Sequence, residues 1–144
     1  MENEYKRILV LVKVDYGIFQ KQLREESKPK GLFRAFRKQP DLMDIAMMAE
    51  GYKHALSFIE ICTDELSAFE TLDAGIEDLE RQVREADNQI TGATTHGMLK
   101  GWLMALAGFH KAMKFVHGGN YSWPSGEEQK ILEIFQRFGL HSAR

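Results

Sequence analysis

Five histidines, His54, His96, His110, His117 and His141, and a single cysteine, Cys62, are the side chains of this 144-residue chain best suited to bind a metal or act as a nucleophile. A helical zinc site needs ligands one turn apart on an inward face, as in His-Glu-x-x-His, and a helical di-iron site needs paired Glu-x-x-His. Neither pattern occurs. Glu50 and His54 stand one turn apart, and Ser57, Glu60 and Asp64 extend the same narrow polar stripe along an otherwise apolar segment. Such a stripe is the wet face that an amphipathic helix requires. His110 and His117, two turns apart beside Lys114, read as surface positions near a helix end. No metal and no cofactor is expected.

Nucleophilic catalysis finds no better footing. Cys62 follows Phe58, Ile59 and Ile61, an apolar setting that raises a thiol pKa and favours a buried, inert side chain. There is no Gly-x-Ser-x-Gly elbow, and Gly92, Gly97 and Gly101 are not followed by the Gly-Lys-Ser or Gly-Lys-Thr of a phosphate loop. The chain reads as a non-enzyme.

Two charged segments remain. Lys28, Lys30, Arg34, Arg37 and Lys38 lie together without an acid among them and interleave with Phe33 and Phe36, which offers phosphate contacts and stacking surfaces to a nucleic acid. Opposite in sign, the segment around Glu70, Asp73, Glu77, Asp78, Glu80 and Glu85 carries only Arg81 and Arg84 as cations. Its field suits the steering of a basic protein partner.

The elements that position these residues are helices. Tyr5, Ile8, Leu9, Val12, Tyr16, Phe19 and Leu23 share one helical face, giving a first helix over 4–26, although Ile8, Val10, Val12 and Val14 also allow a short strand over 7–14. Pro40 and Asp41 open a second helix, 41–66. A third, 68–90, begins at a capping box, Ser67 with Glu70, carries the apolar ladder Phe69, Leu72, Ile76, Leu79, Val83, Ala86 and Ile90, and stops near Thr91 and Gly92. A fourth spans 95–117, and a fifth, 126–138, follows the capping box Ser125 with Glu128. The expectation is an all-α, single-domain antiparallel bundle of about five helices.

On the fourth helix, Gly97, Gly101, Ala105, Gly108 and Ala112 form a ridge of small residues. Each interior glycine costs about 1 kcal/mol relative to alanine, so the ridge implies a neighbouring backbone at close range. That neighbour is an earlier helix of the chain or, in a homodimer, the same ridge of a second copy. The turn at Tyr121 and Trp123 adds aromatic side chains of the kind that anchor interfaces. By elimination the chain reads as a non-enzymatic protein-interaction module, an adapter or inhibitor. Nucleic-acid binding through 28–38 is the alternative. The lone cysteine and the absence of a long apolar run point to a cytoplasmic protein without a membrane span.

Overall fold

Tyr5, Ile8, Val12, Phe19 and Leu23 recur at helical spacing, and all five are buried on one face of α1 (Glu2–Ser27). The computed structural model describes residues 2–27, 42–86, 89–118 and 136, and among them every regular element is a helix. The β-branched run over 7–14 therefore belongs to α1 and forms no strand. Three further helices follow: α2 (Leu42–Glu60), α3 (Glu65–Arg84) and α4 (Gln89–His117). The fifth helix expected over 126–138 lies outside the described residues apart from Gln136, which is helical.

The directions alternate. Tyr5 at the start of α1 donates its hydroxyl to the Ile59 carbonyl at the end of α2, at 2.5 Å. His117 at the end of α4 meets Glu65 at the start of α3, at 2.6 Å. α4 touches each of the other helices and packs most extensively on α2. Between them lie the fully buried Ile8, Val12, Tyr52, Ile59, Leu72, Ile76, Leu99, Leu103, Leu106, Phe109 and Met113.

The α2–α4 crossing explains the glycine ridge. Gly101 faces Gly51 so closely that a Cβ on Gly101 would fall 2.7 Å from the Gly51 Cα and 2.6 Å from the Tyr52 nitrogen. Gly97, Ala105, Gly108 and Ala112 are buried as well. At Gly101 the ridge is the seat of α2 from the same chain, and at Gly108 it faces Tyr52 of α2 and Asp15 of α1, so at these positions it is not a free face for a second copy. Gly75 of α3 makes room in the same way for the ring of Trp102.

Two helix boundaries correct the sequence reading. The N-cap of α3 is Asp64, with extended backbone (φ −148, ψ 171) and a side chain that accepts from the Ser67 N–H at 2.8 Å, and the expected Ser67–Glu70 box lies inside the helix. Asp64 thus leaves the polar stripe of α2, and Cys62 sits half-buried in the intervening turn, its sulfur 3.5 Å from the Thr71 hydroxyl. At the other end α3 stops at Arg84, and α4 begins at Gln89 and runs through Thr91 and Gly92. The ladder is therefore shared: Phe69, Leu72 and Ile76 are buried, Leu79 and Val83 half-buried, Ala86 is past the end of α3, and Ile90 belongs to α4.

The cap has a consequence that solution measurements read directly. Hydrogen bonds from Ser67, chiefly from its backbone N–H, hold the Asp64 carboxyl below the usual range. A group whose folded pKa is depressed stabilises above its unfolded value, and that contribution is lost as pH falls through the folded value. Asp64→Ala should lower the melting temperature at neutral pH and flatten the acid limb of the stability curve, while Ser67→Ala, which keeps the backbone donor, should flatten it less. Thermal melts between pH 2 and 7, a window set by the ordinary carboxylate range, check this.

Candidate interaction surface

Each α-helix of a bundle needs one apolar stripe for the core. α1 has two. Beside the buried ladder runs a second series, Leu11, Val14 and Ile18, bracketed at the same spacing by Arg7 and Lys21. Leu11 is half-buried, whereas Val14 and Ile18 keep 54% and 53% of their surface in solvent, and Val10, one turn from Val14, keeps 58%. Across from them on α4, Gly108, Lys111, Ala112 and Phe115 complete a groove of about 170 Å³. Phe115 is 74% exposed. Apolar side chains scattered singly are ordinary on a surface, but a contiguous set lining a groove marks a contact site.

The floor of the groove is a polar bridge between α1 and α2. Asp15, which lines it, accepts from the buried Tyr52 hydroxyl at 2.7 Å. Burial, with the Asp15 carboxylate adding to it, pushes the Tyr52 phenol above its ordinary range, so it stays a neutral donor. Tyr52 is flanked by Tyr16 and Phe19, with ring centroids 5.0 and 5.4 Å away. Gly108 leaves room for this pair, because a Cβ on it would meet the Tyr52 hydroxyl and fall 2.7 Å from the Asp15 Oδ2, so one of them would have to shift. Tyr52→Phe should cost toward the low end of the about 1.5–3 kcal/mol of a hydrogen bond to a charged group, since Asp15 keeps some water. Urea unfolding at neutral pH is the check.

The acidic flank of α3 has Glu70, Glu77 and Asp78 exposed, whereas Asp73 and Glu80 are half-buried. It is partly neutralised from within. Arg81 bonds Asp78, and also Glu85 at 3.1 Å, while Gln82 donates to Asp78 at 2.7 Å. These bonds, that from Arg81 foremost, hold the Asp78 carboxyl below the usual range. On α2, Glu50 and His54 approach to 3.9 Å with both side chains about half exposed, and Glu60 pairs with Lys13 at 3.3 Å. The polar stripe over 50–60 is thus a solvated face.

Tyr121 and Trp123 lie outside the described residues, as do Lys28, Lys30, Phe33, Arg34, Arg37 and Lys38. Among the described residues no helix is long and apolar enough to cross a membrane. The groove was not anticipated from the sequence. Its signal was available in the spacing of Leu11, Val14 and Ile18 beside the core ladder, a second stripe that the core did not need. Comparison with protein-family models, curated proteins and solved structures returns no match.

Proposed function

We propose that the protein is a non-enzymatic interaction module whose α1–α4 groove receives an amphipathic helix of another protein. The observation that carries this reading is the second apolar stripe of α1, Leu11, Val14 and Ile18, facing the exposed Phe115 across the groove. Covering a valine, isoleucine or phenylalanine stabilises by about 1.5–3 kcal/mol per fully buried side chain, and a groove between two helices suits an apolar helical face with anchors at i, i+3 or i+4 and i+7. Charge chooses among such helices. Arg7 and Lys21 continue the α1 stripe at both ends, and Lys111 lines the α4 side, all three exposed. A ligand helix with acidic residues beside its apolar face complements that rim, and its association is accelerated at low salt.

A photo-crosslinking residue at Val14, compared with one at Gln82 on α3, tests the proposal in the native host. The position-14 probe should capture one protein, crosslinked within a helix of that amphipathic, acid-flanked type, and the position-82 probe should not. Capture of the same protein from both positions would contradict the proposal. So would crosslinks from Val14 to a second copy of the chain, which would make the groove a homodimer contact.

A further inference from the structure

At the end of the bundle remote from the middle of α1, three helices bring one donor each to a single point. Glu4 is the third residue of α1, Glu65 the first of α3, and His117 the last of α4, and their ligand atoms all lie within 4.8 Å of one another. A glutamate in a helical first turn is ordinary, because it complements the dipole. Dipole complementarity does not account for two such glutamates from different helices converging on one imidazole. The His117 and Glu65 side chains are 27% and 29% exposed, and His117 Nε2 already stands 2.6 Å from Glu65 Oε1.

We infer that Glu4, Glu65 and His117 form a binding site for a divalent transition-metal ion, with zinc the ion best matched to an imidazole and two carboxylates. Zinc holds such donors at about 2.0–2.2 Å, which sets tetrahedral neighbours roughly 3.3–3.6 Å apart. Small side-chain rotations open the His117–Glu65 contact to that spacing and bring Glu4 in. Three protein ligands leave the fourth position to water. Bound there, the ion ties α1, α3 and α4 together across chain segments far apart in sequence, and its contribution is independent of the groove.

Isothermal titration of the full chain with zinc chloride alone, alongside thermal unfolding, tests the site. One zinc ion per chain should bind saturably and raise the melting temperature. His117→Ala should abolish that binding. Because His117→Ala also removes the Glu65 contact and could weaken the fold, Glu4→Gln supplies the second arm. It leaves the His117–Glu65 contact in place, should lower the metal-free melting temperature only slightly through the lost dipole complement, and should weaken zinc at least as much as loss of an outer-shell partner does, about tenfold to a hundredfold. Absence of saturable zinc binding would overturn the inference. So would binding unchanged in either variant, which would assign the ion to His54, His96, His110 or His141, or to a site without Glu4.

Discussion

Gly101→Leu is expected to unfold the protein. Overpacking costs about 1–3 kcal/mol where side chains can yield, but the atoms facing Gly101 are the backbone of Met48, Gly51 and Tyr52, which cannot rotate away. The loss therefore exceeds that range and consumes much of the about 5–15 kcal/mol by which domains are stable. Even Gly101→Ala should destabilise, although it gains about 1 kcal/mol of helix propensity. Gly17→Ala is the control: a Cβ there meets nothing within 4 Å, so the propensity gain is unopposed and stability should rise by about 0.5–1 kcal/mol. Far-ultraviolet circular dichroism during urea titration separates these outcomes. A folded, fully helical Gly101→Leu protein of lower mass than wild type would instead place the ridge at a homodimer contact.

The second large effect is on binding. Ile18→Asp and Phe115→Asp each place a charge in the apolar groove and remove an anchor, and loss of a central anchor typically costs at least about 2 kcal/mol, roughly thirtyfold in Kd. Both residues are more than half exposed, so stability should change by about 0.5 kcal/mol or less. That combination distinguishes a docking surface from part of the core. By contrast, replacing Glu77, Asp78 and Glu80 with amides should leave the affinity of the same partner unchanged.

Sequence periodicity reveals packing faces more reliably than it reveals what packs on them. The core ladder of α1 and the close approach at Gly101 were both readable, the first from spacing and the second from the cost of interior glycines. That the ridge meets α2 was not, because Gly51 is a single glycine in a segment apolar nearly all round. As a local signal for the start of α3, Ser67 with Glu70 is as good as Asp64, and only the extended backbone at Asp64 decides between them. Residues 7–14 allowed both helix and strand because α1 is apolar on two faces, one buried in the core and one lining the groove. The convergence of Glu4, Glu65 and His117 had no sequence signature, since the three are brought together only by antiparallel packing.

The groove is tested most directly by amide hydrogen exchange of the full chain, with and without the captured helix as a synthetic peptide. Docking in the groove predicts slowed exchange confined to α1 around residues 11–21 and α4 around 108–115, with α3 unchanged. Slowing centred on the acidic flank of α3 around residues 70–80, with the α1–α4 groove unaffected, would contradict it.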